Sequence, residues 1–307
     1  MTRISVIIPT IDRGIIFDEC IQSVVNSIGS QDEIIVINDS KKNALQLKIS
    51  DARIRVFDNP KSGVASARNL GASHASGEYL LFIDDDMIIN THAVESCYQL
   101  ILEEPQTVVN ADWIYVPEAL QKSMKSPFGR YLHHIRFTSL EGWCTDLSWI
   151  KNGIVKAKGI TSQFLLIAKN LFLSTGGYNE SFPFAGFEDY DLGKRLEMKG
   201  IHFRINTQCC IYHNELDRMQ LKPFIERKKR GAYTRKKGVE IGYPELAIHF
   251  RFLKKSYLRC SFLFKPIYTF LINLIPNSET TDPLYRFCVN RLVGIAIYEG
   301  YSRKNSL

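Results

Sequence analysis

Short apolar runs alternate with helix-like stretches through the first 90 residues, and this alternation constrains the fold more than any other feature. The runs rich in β-branched and aliphatic residues predict four strands, at residues 4–9, 33–38, 53–57 and 79–83. Residues 17–28 and 63–75 predict helices between them. Continuous apolar strands joined by helices are typical of a parallel sheet covered on both faces. We therefore predict an α/β fold whose ligands bind beyond the carboxyl ends of the strands.

Polar side chains follow three of these strands at the same edge of the predicted sheet. They are Thr10 and Asp12 after the first, Asn38, Asp39 and Ser40 after the second, and Asp84, Asp85 and Asp86 after the fourth. Three adjacent carboxylates repel one another unless a cation is present. Oxygen ligands suit Mg²⁺ or Mn²⁺, which usually keeps coordination positions for substrate phosphates. The triplet therefore predicts a divalent metal site, with a solvated acidic turn or a helix cap as the alternative.

Two further signals come later in the chain, after a loosely patterned and aromatic-rich stretch at residues 117–160. Predicted strands continue at residues 163–168, 201–205 and 209–212, with a predicted helix at residues 189–199. Glu188 and Asp189 stand at the start of that helix, where they either cap it or provide a carboxylate general base. His213 follows the last strand, where its imidazole either completes a metal site or is structural.

Charge and cysteine content set the expected surroundings. Residues 1–200 hold 20 basic and 24 acidic residues, a net charge of −4, whereas residues 201–307 hold 19 and 8, a net charge of +11. The seven cysteines are odd in number and form no C-x-x-C pair, which argues against a zinc site or a disulfide framework. No signal segment precedes the first strand, so we expect a cytoplasmic protein.

The basic region at residues 216–307 has two interpretations. Residues 248–275 are dense in aromatic and aliphatic side chains, but residues 261–275 contain Lys265 and Pro266 and are shorter than the ~20 apolar residues of a membrane span. Basic residues beside apolar ones suit an interfacial helix on an anionic membrane surface. A helical cap packed on the catalytic core is the alternative. Residues 282–301 predict one more amphipathic helix.

An ordered set of motifs over residues 3–215 resembles the family 2 nucleotide-sugar glycosyltransferases, which have the Rossmann-like GT-A fold. The motifs lie at residues 4–10, 38–40, 63–71, 77–79, 82–86, 176–178 and 188–192. The resemblance implies a GT-A catalytic domain at residues 1–215, divided into a nucleotide-binding half at 1–110 and an acceptor half at 111–215. The helical basic extension at 216–307 follows it. Processive members carry a Gln-x-x-Arg-Trp motif, and no tryptophan here follows an arginine, so we expect a non-processive enzyme.

The resemblance also implies how the donor is held. In this family the loop after the first strand and the acid after the second hold the nucleobase and ribose, here Pro9, Thr10, Asp12 and Asp39. Asp39 could accept from a base imide N–H, which favours uracil or thymine. Further donor contacts would come from Arg68, Asp84 and Asp85. The departure is Asn38, where many members have a second acid.

The metal and the catalytic base are likewise implied by the resemblance. Asp86 of the D-x-D motif and His213 would ligate Mn²⁺ or Mg²⁺. Asp189 would be the inverting base, and Glu188 would bind donor or acceptor hydroxyls. These roles predict single-sugar transfer from a UDP- or dTDP-sugar to a saccharide or lipid-linked saccharide in surface polysaccharide or glycolipid assembly. The enzyme would be cytoplasmic, and peripheral on the inner face of the membrane if the basic region binds lipid.

Two other functions are alternatives to this one. A metal-dependent sugar nucleotidyltransferase requires a glycine-rich basic loop directly after the first strand, and residues 9–13 (Pro-Thr-Ile-Asp-Arg) do not provide it. A nucleic-acid-binding protein would use the basic end and show a steep salt dependence. The acidic first 200 residues and the lack of a recognised nucleic-acid module argue against it, so no nucleic acid partner is expected.

Overall fold

The computed structural model describes residues 3–144, 146–215 and 219–303. Within those limits the chain forms two compact units. The first unit comprises the ranges Met1–Val116, Ser139–Pro183 and Glu188–Asn214, and the second Pro117–Thr138, Phe184–Phe187 and Glu215–Leu307. Residues 117–138, which the sequence assigned to the catalytic region, therefore belong to the second unit.

The first unit is built on one sheet, which has nine strands within the described residues. The strands are β1 (Ile4–Thr10), β2 (Glu33–Asn38), β3 (Ile54–Asp58), β4 (Tyr79–Ile83), β5 (Met87–Ile88), β6 (Thr107–Tyr115), β7 (Ile154–Ala157), β8 (Phe164–Ala168) and β9 (His202–His213). Their order is β3-β2-β1-β4-β8-β6-β9-β5, and β7 pairs with β9. The pairs among β1 to β4 and the pair of β6 with β9 are parallel, whereas β5, β7 and β8 are antiparallel to their neighbours. The predicted mostly parallel sheet is confirmed.

Helices connect the strands and make up the second unit. In chain order they are α1 (Ile15–Ser27), α2 (Val64–His74), α3 (Thr91–Glu103), α4 (Pro117–Ser123), α5 (Pro127–His134), α6 (Leu140–Trp143), α7 (Lys169–Ser174), α8 (Glu188–Met198), α9 (Leu221–Glu240), α10 (Phe252–Arg259), α11 (Ser261–Leu274) and α12 (Asp282–Ser302). The helices predicted at residues 17–28, 63–75, 189–199 and 282–301 correspond to α1, α2, α8 and α12.

The central strands explain why the site has a rigid base. Every residue of β1 and β2 is buried, as expected of continuous apolar strands covered on both faces. The helix α2 packs closely on them because Gly71 has no side chain. A Cβ at Gly71 would come within 2.4 Å of the Cγ2 of Ile7. The carboxyl ends of β1, β2 and β4 are thereby held at one edge of the sheet.

The later part of the sheet differs from the sequence prediction. Residues 201–205 and 209–212 predicted two strands, but the structure has the single strand β9. Its register against β6 shifts between Ala111 and Asp112, whose partners are Asn206 and Cys210. This bulge places polar residues in the strand and breaks the apolar pattern. Strand β6 was not predicted from the sequence because the polar Asn110 interrupts its apolar pattern. In the structure the buried side chain of Asn110 is satisfied, since it donates to the carbonyl oxygens of Thr161 and Phe164.

The second unit consists of helices α4, α5 and α9 to α12. Its core brings the aromatic residues Phe128 and Tyr131 of α5 against Phe224 of α9 and Tyr285 of α12. The guanidinium of Arg130 donates two hydrogen bonds to the carboxylate of Asp282, at 2.7 and 2.8 Å. Across the described ranges, we find no helix that combines the length and apolar character needed to cross a membrane.

Candidate active site

The three predicted polar loops meet at the carboxyl edge of β1, β2 and β4. Thr10 is the last residue of β1, and its carbonyl oxygen accepts from the backbone N–H of Asp39 at 2.8 Å. Its hydroxyl donates to Asp85 at 2.8 Å. Pro9 and Thr10 belong to β1 rather than to the loop after it, and Pro9 is buried in register with Ile37. The structure therefore joins all three strand ends, as the parallel arrangement predicted.

One half of the acidic cluster is held by Arg13, a residue that the sequence analysis did not select. Its Nη2 donates to Asp86 at 2.6 Å, and its Nε lies 3.3 Å from Asp85. All three side chains are nearly inaccessible to solvent. Burial raises the pKa of Asp85 to about 7, and the charge of Asp86 adds to the rise, whereas Arg13 and Thr10 oppose it. We call this group the Arg13 cluster.

The other half is held by Arg68 on α2. Its Nη2 donates to Asp84 at 2.7 Å and its Nη1 to Glu188 at 3.0 Å, and Asp189 lies 4.0 Å from the same Nη1. Arg68 and Glu188 are buried, while about a third of the Asp84 side chain is exposed. The guanidinium thus joins the acidic triplet to the start of α8. We call this group the Arg68 cluster.

Asp189 is further held by Ser162, a residue that the sequence analysis did not assign to the site. The backbone N–H of Ser162 donates to Asp189 at 3.2 Å, and the Ser162 hydroxyl donates to its other carboxylate oxygen. That hydroxyl also bonds to the phenol of Tyr178 at 2.6 Å. Burial raises the pKa of Asp189 to about 7, with Glu188 adding to the rise and Arg68 and Ser162 opposing it. A carboxylate in this condition can accept a proton near neutral pH.

His213 reaches Asp86 through the pairing of β9. Met87 of β5 pairs with His213, and the parallel pairing with β6 sets Tyr115 beside it. The imidazole is buried against the rings of Trp113 and Tyr115, with centroids 4.9 and 5.3 Å away in edge-on contacts. Its Nε2 lies 3.4 Å from Asp86 Oδ1.

Asp86 and His213 are members of a buried group of side chains that could hold a metal ion. Two ligands of one octahedral ion with bonds of ~2.1 Å lie ~3 Å apart, close to the separation of Asp86 and His213. Carboxylate oxygen suits Mg²⁺ and Mn²⁺, and imidazole extends the set to transition metals. The residues present therefore fit a divalent cation.

The residues predicted to hold the nucleobase serve local structure as well. Asp39 accepts from the backbone N–H of Gly63 through both oxygens, at 3.2 and 3.1 Å, and from Asn59 at 2.6 Å. It thereby holds the start of α2, where the helix dipole favours negative charge. Asp12 has a φ of 49° and accepts from Asn43 at 2.9 Å. A cleft beyond β1 and β2 is lined by Asp12, Arg13 and residues 43–48.

Comparison with known proteins agrees with this architecture. Residues 5–152 match the family described as Glycosyl transferase family 2. The glycosyltransferase GlyG of Streptococcus pneumoniae is 31% identical over 122 residues, covering 38% of this chain and 40% of that protein. A Campylobacter jejuni protein named GalNAc(5)-diNAcBac-PP-undecaprenol beta-1,3-glucosyltransferase is 35% identical over 106 residues, covering 32% and 34%. The matches thus span well under half the length of these two relatives.

A solved structure extends the likeness to nearly the whole chain. The mannosyltransferase PcManGT from Pyrobaculum calidifontis, in complex with GDP-Man and Mn²⁺, aligns with a TM-score of 0.55 over 98% of this chain and 88% of that one. Their sequences are 11% identical, so this likeness concerns the fold alone. Residues 5–152 are thus similar to glycosyl transferase family 2, and the fold of the chain is similar to that of a glycosyltransferase of known structure.

Proposed function

We propose that the chain is an inverting, non-processive glycosyltransferase that moves one sugar from a nucleotide-diphospho-sugar to a saccharide hydroxyl. The observation that carries this proposal is the joining of Asp189 to the acidic triplet through Arg68. A base and a diphosphate-binding group must lie on either side of one anomeric carbon in a direct displacement. Arg68 sets that spacing from a buried position.

Asp189 acts as the general base in this proposal. The two hydrogen bonds from Ser162 fix the direction of its carboxylate. It takes the proton of the acceptor hydroxyl while the hydroxyl oxygen forms a bond to the anomeric carbon. The bond from that carbon to the diphosphate oxygen breaks on the opposite side, and the configuration inverts. A base with a pKa of about 7 is well matched to this transfer near neutral pH.

Glu188 is proposed to act through Arg68. The sequence assigned it to sugar hydroxyls, but its Oε1 accepts from Arg68 and its side chain is buried. We propose that it holds Arg68 in position and thereby the distance between Asp84 and Asp189. Asp84, which is partly exposed, is the member of this cluster best placed to meet the donor.

The metal-holding residues in this proposal are Asp86 and His213. A divalent cation supplies positive charge to diphosphate oxygens as they become more negative during departure. The chain's own contribution is to hold His213 against the rings of Trp113 and Tyr115. Mn²⁺ and Mg²⁺ are the proposed cations, and the Mn²⁺ of the Pyrobaculum structure supports this choice for a related fold.

The donor is proposed to be a UDP- or dTDP-sugar, bound near Asp39, Asp12 and Thr10, with Asp85 linked to Thr10. A carboxylate has about four lone-pair positions, and the described contacts of Asp39 use three of them. The remaining position on Oδ2 suits the imide N–H of uracil or thymine. The GDP-Man of the Pyrobaculum structure makes a guanine donor the natural competitor to include in any test.

The acceptor is proposed to be a saccharide or a lipid-linked saccharide of surface polysaccharide or glycolipid assembly. The name of the Campylobacter relative describes a glucosyltransferase acting on an undecaprenol diphosphate-linked glycan. That relative supports a lipid-linked acceptor for this chain. The place of action would be cytoplasmic, on the inner face of the membrane.

A donor panel followed by one substitution tests the proposal. UDP-, dTDP- and GDP-sugars with Mn²⁺ are compared by thermal shift, and the stabilising donor is used in transfer assays. Asp189→Asn should lower the transfer rate by ~10²–10⁴-fold while donor affinity changes little. Asp146→Asn, an exposed Asp-to-Asn change in the same unit, should leave the rate unchanged. Full activity of Asp189→Asn, or no response to any nucleotide-sugar, would refute the proposal.

A further inference from the structure

The helix pair α10 and α11 exposes an unusual amount of apolar surface. In α11, Leu263, Ile267, Phe270, Leu271 and Leu274 recur at helical spacing and form one stripe. Each of these side chains is between 37 and 63% exposed. Phe252 and Leu253 of α10 are exposed even further, at 80 and 82%. An exposed apolar surface of this kind marks a contact site.

The opposite face of the same helices makes the contacts that hold them in the second unit. Lys265 of α11 donates to Glu299 of α12 at 2.8 Å, and the ring of Tyr268 contacts Phe287 edge-on. In α10, Leu258 is buried, and the ring of Tyr257 lies 5.0 Å from that of Phe264. The exposed stripe is therefore not needed to anchor these helices to α12. Its apolar character requires another explanation.

Positive charge lies among these apolar residues without any negative charge. Residues 251–275 contain five basic residues, Arg251, Lys254, Lys255, Arg259 and Lys265, and no acidic residue. Four of the five, all except Lys265, are exposed. Exposed cations interleaved with exposed Phe, Leu and Ile are suited to a bilayer surface with anionic headgroups, where apolar side chains enter the acyl boundary.

We propose that the face formed by α10 and α11 docks on an anionic lipid bilayer, as an interfacial rather than a spanning segment. The 14 residues of α11 rise ~21 Å, less than the ~30 Å hydrocarbon thickness, and include Lys265 and Pro266. A second copy of the chain is a poorer occupant, since two faces of the same positive charge repel each other. A nucleic acid would meet the cations but leave the apolar stripe in water.

Vesicle flotation of the full chain tests this proposal. Vesicles of phosphatidylcholine alone are compared with vesicles of equal parts phosphatidylcholine and phosphatidylglycerol, at low and high salt. The wild-type chain should float with the anionic vesicles and be released by salt. Neither donor nor acceptor is added, so the outcome is independent of the transferase proposal.

Two variants separate the apolar and charged contributions. Phe252→Ser with Phe270→Ser removes two exposed rings, and Lys254→Gln with Lys255→Gln and Arg259→Gln removes three exposed charges. Each should lower partitioning to anionic vesicles by at least about tenfold. Because all five side chains are exposed, thermal unfolding should be unchanged, and this measurement verifies that each variant is folded.

Matched changes in the other unit provide the controls. Leu173→Ser with Met198→Ser removes two exposed apolar side chains, and Lys151→Gln with Lys156→Gln and Lys199→Gln removes three exposed charges. Both should float like the wild type. The proposal is overturned if the wild type binds neither vesicle, if lipid charge makes no difference, or if the controls lose as much binding as the test variants. An oligomer that dissociates in the Phe252 and Phe270 variant, without vesicle binding, also overturns it.

Discussion

The Arg13 and Arg68 clusters use the same chemistry for different ends. Each sets a buried guanidinium among carboxylates at the carboxyl edge of the sheet. The Arg13 cluster neighbours His213, which is a metal-type ligand, whereas the Arg68 cluster neighbours Asp189, whose pKa is raised to about 7. The number of carboxylates does not distinguish the two clusters, but the identity of the group beside each cluster does. One cluster is suited to hold a cation, and the other to accept a proton.

The largest expected effect on Mn²⁺ affinity and transfer comes from a substitution in the Arg13 cluster alone. Asp86→Asn should reduce Mn²⁺ affinity by more than the ~10–100-fold that changes around a metal ligand cost, since it alters the proposed ligand itself. Transfer should fall with it. Calorimetry with Mn²⁺ and transfer assays at saturating Mn²⁺ measure the two effects. The exposed Asp146→Asn again serves as control, and unchanged Mn²⁺ affinity in Asp86→Asn would remove the metal role from this cluster.

The second effect concerns the pH dependence of the base side. Asp189 must be ionised to accept a proton, so kcat/KM should fall about tenfold per pH unit below its pKa of about 7 and level off above it. Because Glu188 interacts with Asp189, the measured value belongs to the pair. The acidic limb should vanish in Asp189→Asn. An unchanged limb in that variant would assign it to another group.

A smaller effect is expected from Ser162→Ala. This change removes a hydrogen bond that favours the charged form of Asp189, so the acidic limb should move to higher pH. The rate near neutral pH should fall by about tenfold, through misorientation and lost ionisation. Ser162→Thr keeps the hydroxyl and should retain most of the rate. Equal loss in both variants, with no shift of the limb, would point to a packing defect instead.

The smallest effect contrasts the two arginines directly. Arg13 is a buried cation in contact with Asp86 and would repel a bound metal ion, so Arg13→Gln should bind Mn²⁺ more tightly, by about tenfold or less. Arg68→Gln should leave Mn²⁺ affinity within about twofold, because Arg68 neighbours Asp84 and Glu188 instead. Calorimetry on both variants without donor makes the comparison. Equal changes of Mn²⁺ affinity in the two variants would show that the two clusters act as one electrostatic unit.

The sequence predicted the parts of the fold that rest on local pattern. Strands β2 and β4 have the predicted bounds, because uninterrupted apolar residues meet the demands of a buried parallel sheet. Strand β6 escaped prediction because Asn110 and Asp112 interrupt its pattern, and the satisfaction of Asn110 depends on a distant segment. The apolar pattern of a strand can be recognised in the sequence, but the distant residues that satisfy its buried polar side chains cannot.

The residues of the candidate site likewise fall into two groups, those recognisable from the local sequence pattern and those recognisable only from contacts in the fold. Asp84, Asp86, Asp189 and His213 were recognisable because each stands at the end of a predicted element. Arg13 and Ser162 were not, because their significance lies in contacts across 73 and 27 residues of chain. Arg68 was selected from the resemblance, and its bond to Glu188, 120 residues away, became visible only in the fold.

Mn²⁺ titration of Asp86→Asn and Asp189→Asn, each followed by a transfer assay, tests the division of labour most directly. Both variants should lose transfer, but only Asp86→Asn should lose Mn²⁺ binding. Asp189→Asn should bind Mn²⁺ within about twofold of the wild type, because no described contact joins the Asp189 carboxylate to Asp86 or His213. Loss of Mn²⁺ binding in both variants, or in neither, would contradict the assignment of the metal to the Arg13 cluster and the base to the Arg68 cluster.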